Sequence, residues 1–164
     1  MTRNIFKNGI LGGIIAAVVM SSMVFYMKAN PGVQPSAAIG FISMLLAFTF
    51  LYIGVRQNRD VNNGKISFGK AFLIGLGISF IISAIYVLAW MVIFYNFFPD
   101  FIEKYSDMVL KNTNPEELAA KTAEMNQMKE WYKSPLMIIL LTFMEIFPLG
   151  IVISIVAGLI LKKK

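Results

Sequence analysis

SPLMIILLTFMEIFPLGIVISIVAGLIL, residues 134–161, is apolar for longer than a bilayer requires, yet it carries one acidic residue, Glu145, with Pro148 one turn after it. A hydrocarbon core about 30 Å thick takes roughly 20 apolar residues as helix, so residues 135–161 read as a membrane span. At about 1.5 Å per residue Glu145 falls about 16 Å along that helix from Ser134, near the bilayer centre. An ionised side chain there costs about 2.5 to 3.5 kcal/mol on insertion scales, so the carboxyl is expected to turn toward the protein. Pro148 adds an irregularity: its ring displaces the Met144 carbonyl and has no N–H to offer it, leaving an acceptor for a protonated Glu145 or a neighbouring hydroxyl. Glu145 and Pro148 together form the candidate intramembrane polar site. Two roles fit Glu145 equally, a neutral acid bonded to a Tyr or Ser of another span and a working proton or cation site.

The whole chain shares the solvent of that segment. Of 164 residues 57% are hydrophobic and 15% charged, whereas a soluble domain is about a quarter charged. Mean hydropathy is +0.69. The length suits one membrane domain, residues 1–164, and leaves none for a second domain of ordinary size. Cysteine and histidine are absent, which removes disulfides, thiolate nucleophiles, most zinc sites, haem ligation and imidazole relays. No cofactor and no metal site are expected.

Upstream, three more apolar runs read as spans at about 9–27, 36–55 and 68–97. Arg3 and Lys7 before the first run resemble the start of a signal peptide, but Phe25, Tyr26, Met27 and Lys28 offer no small-residue cleavage site, so the run is read as a retained helix. A short link with Lys28, Asn30, Pro31 and Gly32 leads to Pro35, which opens the second run. The link from Arg56 to Lys65 is turn-rich through Asn62, Asn63 and Gly64. The third run, about 45 Å long as helix, is longer than the core requires. Lys70 can snorkel back to its start, and Trp90, Tyr95, Phe97 and Phe98 form an aromatic exit at its end.

The long link, residues 99–133, alone has a water-facing composition. Asn114, Pro115 and Glu117 predict a capped helix running toward Tyr132. Before it, Phe101, Tyr105, Met108 and Val109 share a helix face opposite Glu103, Lys104, Asp107 and Lys111. The greasy faces are expected to lie on the membrane surface or cap the bundle, with a lid or partner-docking surface as the sharper alternative. The fold class is thus all-α: an integral membrane protein of four transmembrane helices in a compact bundle, with a short extracytoplasmic helical insertion between the third and fourth.

Basic residues orient it. Arg3 and Lys7, then Arg56, Arg59, Lys65 and Lys70, then Lys162, Lys163 and Lys164 mark three segments. In the long link Lys104, Lys111, Lys121, Lys129 and Lys133 are outnumbered by Asp100, Glu103, Asp107, Glu116, Glu117, Glu124 and Glu130. Four spans with both termini in the cytoplasm place every net-basic segment inside. The charge of +6 is therefore a topology signal, and no basic soluble surface for nucleic acid exists.

Small residues recur at every fourth position: Gly9, Gly13, Ala17 and Ser21; Ala71, Gly75, Ser79 and Ser83; Gly150, Ser154 and Gly158. The second span is looser, with Ser36, Gly40, Ser43, Ala47 and Gly54. Such ridges let backbones approach closely in lipid. Catalysis finds no footing. The spans hold serines but no His or Asp, Glu145 has no second intramembrane carboxylate, and a serine in a membrane helix ordinarily bonds its own backbone one turn back. The chain is therefore expected not to be an enzyme. Met20 with Met23, and Met125 with Met128, have the spacing of one helical face that would suit Cu(I), but methionine is more often a lipid-facing or gap-filling residue.

The run Gly64 to Phe72, the later Phe98, Pro99, Asp100 and Phe101, and the closing Met144 to Gly150 before a short lysine tail resemble the bacterial membrane-protein family catalogued as domain of unknown function 4199. The resemblance spans nearly the whole chain and implies a four-span protein of the Gram-negative inner membrane, with no established activity. Two function classes stay open. The first, favoured by the ridges, is a structural or accessory protein whose partners are the bilayer and either a second copy or another membrane protein. The second is a small transporter or channel, proton-coupled through Glu145.

Overall fold

Apolar runs in a solvent that cannot hydrogen-bond the backbone fold as continuous helix. The computed structural model, which describes residues 2–30 and 37–163, contains six: α1 (Thr2–Ala29), α2 (Ala37–Val61), α3 (Phe68–Asn96), α4 (Phe101–Lys111), α5 (Leu118–Trp131) and α6 (Pro135–Leu161). α1, α2, α3 and α6 are long and apolar enough to cross a membrane. The short pair α4 and α5 occupies the link between α3 and α6.

Several boundaries depart from the reading of hydropathy. α1 begins at Thr2 rather than at residue 9, and α2 runs to Val61 rather than stopping at residue 55. Hydropathy marks where the chain leaves lipid, whereas a helix ends only where its backbone is turned. In α2 the polar turn is held by Asn58, whose amide donates to the Gly54 carbonyl at 2.8 Å. The turn itself is made by Asn63 and Gly64, both in the left-handed region at φ 54° and 72°. α3 stops at Asn96 with Phe97 as its cap; α6 occupies residues 135–161 as expected. Pro31, Gly32, Pro35, Ser36 and Lys164 lie outside the described residues. The predicted capping box fails. Residues 115–117 form turns, α5 begins at Leu118, and Glu117 sits at the cap without a side-chain hydrogen bond.

α3 is the central helix: half of its apolar window is buried, against 22–28% for the other three spans. It packs on α1, α2 and α6. The small residues set those contacts. A Cβ built on Gly9 or Gly13 would lie 2.7 Å from Ile81 Cβ or 2.6 Å from Ile85 Cδ1. Between α3 and α6 the fit is reciprocal, Gly75 facing Ser154 and Gly150 facing Ser79, while Gly158 faces the Phe68 ring. Ala17 departs from the expected ridge. The buried stripe of α1 is Asn8, Gly12, Ala16, Met20 and Val24 with Gly9 and Gly13 beside it, and Ala17 stays half-buried at its edge.

α2 is packed along only part of its length. Ala47, Phe48, Leu51, Gly54, Val55 and Asn58 are buried, whereas no residue from Ala38 to Leu46 is. The first half of α2 therefore leaves space beside α1, α3 and α6.

The ends of the spans sort onto two faces. Asn8 of α1 donates to Gln57 of α2 at 2.9 Å, and Ile66 and Lys163 exchange two backbone hydrogen bonds of 2.9 Å. The start of α1, the α2–α3 turn and the described carboxyl end therefore share one face. At the opposite face the Lys28 amine donates to the Phe97 carbonyl.

Candidate functional site

The space left by α2 is a cavity of about 720 Å³ in the half of the bundle remote from the basic face. α1 contributes Met20, Met23, Val24 and Met27; α2 contributes Gly40, Phe41, Ser43 and Met44; α3 contributes Tyr86 and Trp90. From α6 come Leu141, Thr142 and Glu145. The reciprocal contacts Gly75 with Ser154 and Ser79 with Gly150 fix an antiparallel register. Continued along the helices, it sets Glu145 level with Ala84, in the middle of α3.

Glu145 lines this cavity rather than meeting a packed partner, and where the sequence suggests a carboxyl turned into the protein the residue stays exposed. Among the described residues its carboxylate makes no hydrogen bond and no ion pair, and it is the only charged side chain lining the cavity. Of the two roles open in the sequence, the interhelical bond to a Tyr or Ser is not made among the described residues. Tyr86, buried on α3, and Tyr132, at the end of α5, lie within electrostatic range of the carboxylate. Pro148 is one turn deeper and does not line the cavity. α6 stays helical through it, and among the described residues no side chain donates to the Met144 carbonyl.

The polar groups beside Glu145 are largely occupied. Ser43 donates to the Gly40 carbonyl at 2.6 Å and Thr142 to the Ile138 carbonyl at 2.7 Å. Ser154 likewise bonds Gly150 at 2.7 Å, the turn-back pattern expected of helix hydroxyls. Ser79 and Ser83 break that pattern. Both hydroxyls are buried without a partner, and Ser79 Oγ instead fills the notch over Gly150.

Phe101 and Tyr105 of α4, Met128 of α5 and Tyr132 roof the cavity. Aromatic packing fixes the roof: Phe101 meets Trp90 edge-on at 4.8 Å and stacks on Tyr105 at 5.7 Å, while Tyr132 meets Phe94 edge-on at 5.4 Å. Ile102 and Ser106 of α4 and Met125 of α5 are buried as well. Burial first, and the charge of Glu145 second, push the Tyr132 phenol up to about 12, with the Trp90 indole opposing. Tyr132 therefore stays a neutral hydroxyl over the carboxylate. At the roof's outer edge Lys104 bonds Asp100 at 2.7 Å and holds that carboxyl below the usual range.

Three of the four methionines singled out by spacing, Met20, Met23 and Met128, reach this cavity, and Met27 and Met44 join them; Met125 is buried elsewhere. The convergence of five thioethers was not readable, because it depends on which half of α2 stands away. The packing residues Gly9, Gly13, Gly75, Ser79, Ser83, Gly150, Ser154 and Gly158 lie outside the cavity. The basic residues Arg3, Lys7, Arg56, Arg59, Lys65, Lys70, Lys162 and Lys163 belong to segments of the opposite face.

A family model described as "Protein of unknown function (DUF4199)" matches residues 7–163. No curated protein and no solved structure matches the chain.

Proposed function

The chain belongs to the DUF4199 family of proteins of unknown function, and on that premise we propose that it is a small transporter of a bacterial inner membrane, with both termini cytoplasmic and Glu145 as its coupling carboxylate. One observation carries the reading: an unpaired carboxylate near mid-membrane depth opens onto a roofed cavity of about 720 Å³. Intramembrane ionisable residues that face a cavity rather than a partner characterise proton and ion pathways. The roof of α4 and α5 gives such a site a closure on the extracytoplasmic side.

The sequence favoured a structural or accessory protein because of its small-residue ridges. Those ridges are taken up inside the chain, by Ile81, Ile85, Ser79, Ser154 and Phe68, so they offer little to a second copy or a membrane partner. The experiment is flux in proteoliposomes under an imposed pH gradient, across organic cations, organic anions and neutral solutes, with Glu145→Gln as the control. Gradient-driven uptake by the wild type that the Gln variant loses supports the reading. Equal flux in both proteins, or none for any solute, overturns it.

A further inference from the structure

Resting on that reading of Glu145, we infer that the cavity takes a lipophilic organic monocation. Charge is the first argument. Among the described residues the cavity wall carries one formal charge, Glu145, and no Lys or Arg; the nearby Lys28 amine is engaged by the Phe97 carbonyl. Glu145 is exposed on the cavity, and a carboxyl at membrane depth either takes up a proton or pairs with a cation; a single positive charge on the ligand supplies that partner. An anion finds no basic group there.

Size is the second. About 720 Å³ falls in the range of roughly 300–1,000 Å³ that holds drug-sized molecules. A bare metal ion would leave most of the wall without a contact.

The chemistry of the wall is the third. Tyr86, Trp90 and Tyr132 present aromatic rings on the same cavity as the carboxylate, and aromatic faces attract organic cations by about 0.5 to 2 kcal/mol each. Met20, Met23, Met27, Met44 and Met128 add flexible, polarisable surface that adapts to varied shapes. Ser43 and Thr142 already donate to their own helices, which leaves the phenols of Tyr86, Tyr105 and Tyr132 and the Trp90 indole as donors on the wall, and no basic group. A sugar carries more hydroxyls than these groups can pair, and the anionic end of a zwitterion meets no base, so either would bury unpaired polar groups. A delocalised or quaternary cation with an apolar body would not.

Binding should weaken as pH falls, because protonating Glu145 removes the counter-charge. The other titratable groups facing it are the phenols of Tyr86 on α3, Tyr105 on α4 and Tyr132 after α5; α1, α2 and the rest of α6 contribute none to the wall. Phenols ordinarily titrate near 10 and stay neutral across the acid range.

The test uses the full chain in a non-ionic detergent, with radiolabelled tetraphenylphosphonium as the cation and tetraphenylborate as its charge-inverted twin of the same shape. The expected result is saturable binding of the phosphonium that weakens at acid pH, at least tenfold weaker in Glu145→Gln, with no saturable binding of the borate. Equal binding of both ions to the wild type overturns the inference without recourse to a variant, because the site then reads shape and not charge. So does pH-independent binding, or a correctly folded Gln variant of unchanged affinity. Failure here is separable from failure of the transport reading. Glu145-dependent flux of another solute without phosphonium binding sinks only the ligand class, whereas phosphonium binding without any flux sinks only transport.

Discussion

Glu145 was legible as a residue because a carboxylate in an apolar run has few explanations. Its surroundings were not, because the residues around it come from five other segments and no local pattern encodes their convergence. The same limit applied to the glycines. Spacing marked Gly150 as small, but only the packed structure shows that Ser79 Oγ occupies the place a Cβ would take, with Phe48 Cε1 2.8 Å from it. Gly150→Ala is therefore expected to destabilise the detergent-solubilised protein by about 1–3 kcal/mol, the usual cost of overpacking. Gly69, in the first turn of α3, meets nothing within 4 Å, and Gly69→Ala should match or slightly exceed the wild type. Thermal unfolding of the two variants decides the matter; equal losses would mean that the contact at Gly150 relaxes. Tyr132 gives a pH prediction. Its phenol is pushed up to about 12 in the folded protein, whereas an unfolded chain's tyrosine titrates near 10. The unfolded state loses that proton first, so Tyr132's contribution to stability should fall as pH rises from about 10 to about 12. Tyr132→Phe should flatten the unfolding temperature across that window, and an unchanged slope would refute the assignment.

The spans were legible as elements because lipid allows few other structures for apolar backbone. Their ends were less so, since polar turns at the water interface continue a helix as readily as they end it, as Arg56 to Val61 do in α2. The insertion does form two helices, but only α4 has a clear apolar side, while α5 buries Met125 alone, and its position was open between membrane surface, cap and lid. Ring contacts settle that position. Phe101 pairs with Trp90, Phe98, Tyr105 and Tyr132, and such pairs contribute about 0.5–1.5 kcal/mol each beyond burial. Phe101→Ala should therefore loosen the roof while leaving the four spans assembled. Hydrogen exchange read by mass spectrometry is expected to quicken at least tenfold across α4 and little across α3 and α6. Uniform quickening throughout the chain would show that α4 is integral to the bundle and no separate roof.

For the whole molecule, one face carries Arg3, Lys7, Arg56, Arg59, Lys65, Lys70, Lys162 and Lys163 with Asp60 as the acid among them. Asn8 bonded to Gln57, and Ile66 paired with Lys163, hold these segments together. The grouping does not itself say which face meets the cytoplasm. The proposed orientation comes from the positive-inside rule, since lysine and arginine near span ends resist translocation whereas acidic residues contribute little. On that proposed orientation the α4–α5 insertion, in which acids outnumber lysines, lies outside the cytoplasm, and the cavity that it roofs opens in the same half. Orientation and function are linked through this placement: a carboxylate charging from the outside would draw its cation from the extracytoplasmic space, and reversing the protein would reverse the source. Reporter fusions after Lys164 and within residues 56–65 are expected to give cytoplasmic signals, and one near Asn112 an extracytoplasmic signal. A cytoplasmic signal at Asn112 would invert the protein, place the roof inside, and make the same cavity an inward-facing binder of cytosolic solutes.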